Sequence, residues 1–368
     1  MRIGFDGRWF FSGNPSGKVM ACQLLQQMIA RHPQHEYFVF LPRRERHLEF
    51  PLKASNVKVI YTAGGNGILV NCIYLPWQAR KLDLDVCIFF YFSGVFGRYK
   101  KIVFVNDITF IAYPKYFTWK EKLYFQPIRF LSRWAARICT LSPSEKERMV
   151  RFNYIAADKI AIVPLGVDKG FVPLSEHTPS RINEVKATYG LPERFLLYVG
   201  RMNERKNILH LLKAVKDLED PDIKLVLAGH VDWKMFDLPG KIEELGLHDR
   251  VSLIGPIPAT DLPALYAQAT VFCYVSFAEG FGLPPLEAMA SGVPVVISDR
   301  DSLPYICDEA GTYVNPERPQ EIAVAIGSLL QDANLRKEKR AQGLQQAKLF
   351  SWQNSADKLL QICREVAG

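Results

Sequence analysis

Phe277-Ala278-Glu279-Gly280-Phe281-Gly282-Leu283-Pro284-Pro285-Leu286-Glu287-Ala288-Met289-Ala290-Ser291-Gly292 follows the apolar run Val271 to Val275, which reads as a buried strand. Two glycines make a turn, and Pro284-Pro285 fall where the first turn of a helix tolerates proline. Amides from Gly280 to Leu283, beside that helix start, suit an anionic or hydroxyl-rich ligand. Glu279 and Glu287 would lie about 12 Å apart along one continuous helix. Paired glycosidase carboxylates need roughly 5 to 9 Å. With prolines breaking such a helix, the two acids have different tasks. Glu279 sits in the loop near whatever reacts. Glu287 sits in the first helical turn, where it can accept two hydrogen bonds from a ribose diol or simply favour the helix dipole.

Working outward, Phe195 to Val199 reads as another buried strand. Gly200-Arg201-Met202-Asn203-Glu204-Arg205-Lys206-Asn207 then opens a helix through Leu212. A glycine, clustered cations and a helix start directly after a strand form a trap for a diphosphate. Further strands are expected at Lys224 to Gly229, Val251 to Gly255 and Pro294 to Ser298, with helices around 321–330 and 334–347. Toward the N-terminus, apolar runs at 1–6, 37–41, 57–61, 85–90 and 102–105 alternate with helical stretches, the rhythm of a parallel sheet wrapped by helices. Gly7, Gly13, Asn14, Pro15 and Gly17 read as a loop before a helix from Val19 to Ala30, without the G-x-G-x-x-G spacing of a dinucleotide fold. Ser144-x-x-Glu147 reads as a capping box, and the polar stretch to about Arg181 as a linker.

The chain has 368 residues, a length that suggests two domains, and a net charge of +8 that suits nucleotides, lipid diphosphates or an acidic membrane face. No recognition motif supports nucleic acid. Seven scattered cysteines, none in a Cys-x-x-Cys pair, read as reduced core thiols of a cytosolic protein. Met1 to Asp6 begins as a strand rather than as a secretory signal, and no run approaches a membrane span. Asp83-Leu84-Asp85 and Asp299-Arg300-Asp301 match a D-x-D pattern, yet each abuts a strand and is read as structural, with no metal or cofactor expected. From Tyr113 to Cys139, aromatics and bases interleave, and Phe130, Trp134 and Ile138 recur at helical spacing. Two readings stand: a core helix with a basic solvated face, or an amphipathic surface for anionic lipid.

The string Glu279 to Gly292, extended by Val-Pro-Val-Val, resembles the E-x7-E signature of the retaining glycosyltransferases of family 4, and within it the bacterial surface-polysaccharide mannosyltransferases. The resemblance implies the α/β GT-B fold, two Rossmann-like domains facing an interdomain cleft. Residues 1–170, joined by a C-terminal helix 352–368, would be the acceptor-side domain, and 182–351 the nucleotide-sugar domain. It implies Arg201 and Lys206 on the donor diphosphate, and Glu287 on the ribose. It further implies Ile257 against the nucleobase, Gly280, Phe281, Gly282 and Leu283 on sugar and phosphate, and Gly17 in the glycine loop. Glu279 would sit at the sugar. Many members carry a catalytic histidine where this chain has Asn106, an amide that cannot act as a base near neutral pH. The implied enzyme is a cytoplasmic hexosyltransferase, and on the lipid reading of 113–139 it would sit peripherally on the inner face of the plasma membrane. It would move a hexose, mannose as first candidate, from a GDP or UDP sugar to a glycan or lipid-linked acceptor. A sugar-nucleotide epimerase and a non-catalytic sugar-nucleotide binder remain as other classes.

Overall fold

The computed structural model describes residues 1–11, 15–62, 69–232 and 237–368. They form two units, Met1–Gly166 with Ser351–Gly368, and Val167–Phe350. In the first, seven strands run in the order β3-β2-β1-β4-β5-β6-β7. These are β1 Arg2–Asp6, β2 Glu36–Pro42, β3 Val57–Thr62, β4 Val86–Phe90, β5 Lys100–Phe104, β6 Arg137–Thr140 and β7 Ile160–Ile162. Neighbours pair in parallel, with Ile3 opposite Val86 and Phe90 opposite Phe104. Helices cover both faces of such a sheet, so its central strands need continuous apolar sequence. Val-Cys-Ile-Phe-Phe of β4 is accordingly buried along its whole length.

Helix Pro15–Arg31 starts earlier than the spacing suggests, so Gly17 lies in its first turn rather than in a loop, while Gly13 and Asn14 lie outside the described residues. The helix after β6 spans Pro143–Arg151. Its cap is Ser142, whose side chain accepts from the Glu145 N–H, two positions ahead of the expected capping box at Ser144 and Glu147. Proline at the first helical position fixes that start.

Helix Trp352–Ala367 packs on Pro15–Arg31, where Asp357 takes Arg31 at 2.7 Å and His32 at 2.7 Å. Ser355 Oγ donates to the Pro164 carbonyl at 2.6 Å. A Cβ on Gly166 would come within 2.1 Å of the Trp352 nitrogen, so only glycine lets the two backbones touch there.

The second unit carries six parallel strands in the order β10-β9-β8-β11-β12-β13. They are β8 Phe195–Val199, β9 Lys224–Ala228, β10 Val251–Gly255, β11 Val271–Tyr274, β12 Val295–Ser298 and β13 Gly311–Val314. The stretch before Arg181, expected as a linker, is folded into this unit: Thr178 caps helix Pro179–Tyr189, and Arg181 in that helix is paired with Asp261 at 2.5 Å. All seven cysteines are free, with Cys87, Cys139, Cys273, Cys307 and Cys363 buried. No helix among the described residues is long and apolar enough to cross a membrane.

Candidate active site

In the second sheet the strand order reverses between β8 and β11. Open α/β sheets bind ligands beyond the carboxyl ends of their strands at such a reversal. Two segments leave the sheet there. After β8, Asn203 caps a short turn Glu204–Lys206, and Asn207 adopts a left-handed φ of 60° before helix Ile208–Lys216 begins. The Asn207 amide donates to the carbonyls of Val275 at 2.9 Å and Pro316 at 2.6 Å, which ties this turn to the chain leaving β11. Lys206 therefore lies in the turn ahead of the α-helix.

After β11 the chain runs through Glu279 to helix Leu283–Ala290, with Pro284 and Pro285 in its first turn. Gly282 is the N-cap with φ 120° and offers no side-chain cap of its own. That φ is open to glycine alone, and a Cβ would also meet Leu303 at 2.7 Å. The Glu279 N–H donates to Asp301 Oδ2 at 2.8 Å, and the Ser302 hydroxyl donates to the Phe281 carbonyl, so the loop is held from beneath. Phe281 is buried, Gly280 and Leu283 half-buried.

The two segments meet in a buried ionic cluster. Lys206 Nζ is 2.5 Å from Glu279 Oε1 and 2.5 Å from the Tyr274 hydroxyl, and Arg205 Nη1 is 3.4 Å from Glu279 Oε2. Burial alone would raise the Glu279 pKa. The Lys206 and Arg205 charges and the Lys206 hydrogen bond outweigh it and hold the carboxyl below its ordinary value. Glu279 is thus an anion, and Lys206 a cation over the Tyr274 ring at 4.7 Å.

Beneath this cluster runs an aromatic layer, Tyr198 stacked on Tyr274 at 5.7 Å, Tyr274 on Phe272 at 5.9 Å, and Phe272 against Tyr266 at 5.4 Å. It ends at Glu287, whose Oε2 accepts from the Tyr266 hydroxyl at 2.8 Å. Glu287 lies just past the first helical turn rather than within it. Its burial raises the pKa to about 8, the Tyr266 hydrogen bond opposing and the Asp168 charge adding to the rise. One carboxylate is held ionised and the other neutral near pH 7, the separation that marks functional pairs.

Lys206, Glu279 and the Gly280–Leu283 loop are brought together. Arg201 follows β8 on the same end, with its guanidinium 59% exposed and 2.9 Å from buried Asp232. Ile257 lies half-buried after β10. Gly17 and Asn106 belong to the first unit, where Asn106 follows β5. Its Oδ1 is buried with no hydrogen-bond partner among the described residues. In the two aspartate pairs, Asp85 Oδ2 accepts from the Arg2 N–H at 2.7 Å, Asp299 pairs with Arg300 at 3.0 Å, and Asp301 holds Glu279. Arg205, Tyr266, Tyr274 and Asp301 are the site residues that motif reading passes over. Arg205 had a signal, the second cation before Asn207, and Asp301 had one as a member of the D-x-D match read as structural.

Two parallel α/β sheets, one in each unit, give the chain a GT-B fold. That architecture is shared with sucrose-phosphate synthase of Thermosynechococcus elongatus, at a TM-score of 0.77 and 21% identity over 99% of this chain and 98% of that one. It is also shared with Anabaena HepE solved in complex with UDP, at a TM-score of 0.75 and 19% identity over 99% and 100%. The model for glycosyl transferases group 1 matches residues 182–346, which lie in the second unit. Among curated relatives, O-antigen chain mannosyltransferase B of Escherichia coli is 37% identical over 68% of this chain; the chain spans 66% of that relative's length, just under two thirds.

Proposed function

We propose that the protein is a retaining hexosyltransferase that uses a nucleotide-diphosphate sugar, mannose being the first candidate sugar, to extend a glycan or lipid-linked saccharide in surface polysaccharide synthesis. The observation that carries this is the Lys206–Glu279–Arg205 cluster at the strand reversal of the second sheet. Supporting it are the family match and a relative named as a mannosyltransferase. Lys206 and Arg201 hold the diphosphate and offset the charge that grows as it leaves, Arg205 adds a third cation, and no metal enters the scheme. Glu287 takes the ribose hydroxyls, Ile257 lies along the nucleobase, and Gly280, Phe281, Gly282 and Leu283 grip sugar and phosphate. Glu279, locked by two cations, orients Lys206 and faces the sugar. Asn106 supplies a hydrogen bond and no base. The acceptor oxygen therefore bonds to the anomeric carbon on the face from which the phosphate departs, and a phosphate oxygen takes the acceptor's proton. A thermal-shift panel of UDP, GDP and ADP tests the donor assignment. A nucleotide at a hundred times its dissociation constant adds about 2.7 kcal/mol, and no shift with any of the three would remove the reading.

The acceptor side includes an anionic membrane surface. Helix Trp119–Ser132 turns Ile128 and Leu131 inward, with Ala135 buried just beyond it, while Trp119, Leu123, Phe130 and Trp134 stay exposed among Lys120, Lys122, Arg129 and Arg133. Phe130, Trp134 and Ile138 therefore do not share a face: the helix ends at Ser132, Phe130 is 58% and Trp134 56% exposed, and Ile138 is buried in β6. An exposed stripe of aromatics and cations matches the interface of an anionic bilayer. Flotation with phosphatidylglycerol vesicles should recover the chain, and Trp119→Ser with Trp134→Ser should lower recovery severalfold. Equal recovery of both proteins, or of the native chain with uncharged phosphatidylcholine, would refute the surface.

A further inference from the structure

Asp301 closes the D-x-D stretch that follows β12, and its φ of 55° is a left-handed conformation that glycine and asparagine adopt most readily. Such conformations cluster where a chain is held for function. Asp301, Ser302 and Leu303 each touch the loop from Glu279 to Gly282. The Asp301 carboxylate accepts from the Glu279 N–H at 2.8 Å. The fully buried Ser302 hydroxyl donates to the Phe281 carbonyl and lies 3.5 Å from the Glu279 carbonyl. Leu303 sits so close behind Gly282 that a Cβ there would meet its Cδ2 at 2.7 Å. From the other side, Arg205 Nη1 donates to the Ala278 carbonyl.

Peptide planarity turns these contacts into directions. In a trans peptide, as all are in this loop, the carbonyl and the following N–H point opposite ways. The Ala278–Glu279 peptide is therefore clamped at both ends, its carbonyl by Arg205 and its N–H by Asp301. The Glu279 and Phe281 carbonyls converge on one hydroxyl, so the Gly280 and Gly282 N–H groups point away from Ser302. Amides aimed to one side in this way make a cradle for an anionic or hydroxyl oxygen.

We propose that Asp301 and Ser302 are positioning residues for the sugar end of the donor, setting the direction of the Gly280 and Gly282 amides; this rests on the transferase reading above. Neither residue touches the donor. Both act on the loop backbone, because the Glu279 carboxylate keeps its own cations, Lys206 at 2.5 Å and Arg205 at 3.4 Å. Those cations serve the diphosphate. A nucleoside diphosphate is therefore bound alike with or without Asp301, and a sugar nucleotide is not.

Calorimetry on the full chain with GDP, GDP-mannose, UDP and UDP-glucose tests this. Asp301→Gly keeps the left-handed backbone and removes the acceptor, whereas Asp301→Asn keeps both, its Oδ1 accepting in place of the carboxylate. In Asp301→Gly the sugar nucleotide should bind roughly five- to tenfold more weakly, the worth of one lost hydrogen bond, while the bare diphosphate stays within about twofold of native. Asp301→Asn should recover most of the sugar-nucleotide affinity. A merely structural role would make Asp301→Gly melt earlier and leave the ratio of the two affinities as in the native chain, and that result overturns the proposal. So does an Asp301→Asn variant as weak as Asp301→Gly, or a native chain that takes a diphosphate but neither sugar nucleotide. Should Asp301→Gly lose cooperative melting, Ser302→Ala replaces it, with the sugar nucleotide alone expected to weaken and an unchanged ratio counting against the assignment. The diphosphate separates the two claims: no binding of GDP or UDP by the native chain removes the transferase reading, whereas normal diphosphate binding with an unchanged ratio removes this proposal alone.

Discussion

Lys206→Ala is expected to lower glycosyl transfer at least a hundredfold. Lys206 is a buried cation, and under the proposed function it would stabilise charge on the departing diphosphate without reorganising. Losing one such preorganised donor costs about 3 kcal/mol of transition-state stabilisation, roughly a hundredfold in rate. A second loss follows from the ion cluster. With Lys206 gone, Glu279 keeps the Arg205 charge at 3.4 Å, and its pKa climbs as the larger of its two stabilising charges disappears. Removing one member of a buried pair typically costs about 3 to 5 kcal/mol of stability, so the variant should melt earlier yet cooperatively.

Catalytic loss and stability loss are separable. Replacing both partners, Lys206→Met with Glu279→Gln, removes the uncompensated charge and should restore most of the melting temperature. Transfer should stay at the level of the single variant. Glu279→Ala alone should likewise abolish transfer. Rates per folded molecule within tenfold of native in any of the three would end the assignment of Lys206 and Glu279 to the chemistry.

Legibility followed how locally each feature is encoded. Glu279, Glu287 and the glycine–proline turn are readable because one short segment contains strand, turn and helix start, and the structure keeps them in that order. Arg205, Tyr274 and Tyr266 escape because their role exists only where β8 and β11 lie side by side, which chain order does not reveal. The edge strands β7 and β13 are three and four residues long, too short for a periodic signal. Ser144 and Glu147 fit the capping pattern as well as Ser142 and Glu145 do. The choice falls to Pro143, whose ring suits the first helical position, and to Glu145, whose Oε1 is needed by the Ile108 N–H at 2.6 Å. Phe130, Trp134 and Ile138 share a helical face on paper, and the helix stops at Ser132, before Trp134. The match over 182–346 lies in the unit where the motifs were densest.

Nucleotide affinity should strengthen with pH by roughly fiftyfold between pH 6 and pH 8, and level off above. Accepting two ribose hydroxyls requires the Glu287 carboxylate, whereas burial raises its pKa to about 8, against the Tyr266 hydrogen bond and with the Asp168 charge. Only the ionised fraction is competent, so the apparent dissociation constant is the intrinsic one divided by that fraction, and binding expels a proton. Folding stability runs the other way. The folded pKa lies above the ordinary carboxylate value of about 4.3. Between those two pH values the folded chain holds a proton that the unfolded chain has lost, so stability falls as pH rises, by up to about 1.4 kcal/mol per unit. Glu287→Gln keeps an acceptor for Tyr266 and carries no charge. It should flatten both profiles, melt later than native at pH 8, and bind nucleotide weakly at every pH. Calorimetry in two buffers of different ionisation enthalpy reads the released proton directly. A native affinity independent of pH, or a Glu287→Gln variant that binds as tightly as native at pH 8, would show that the ribose is held elsewhere.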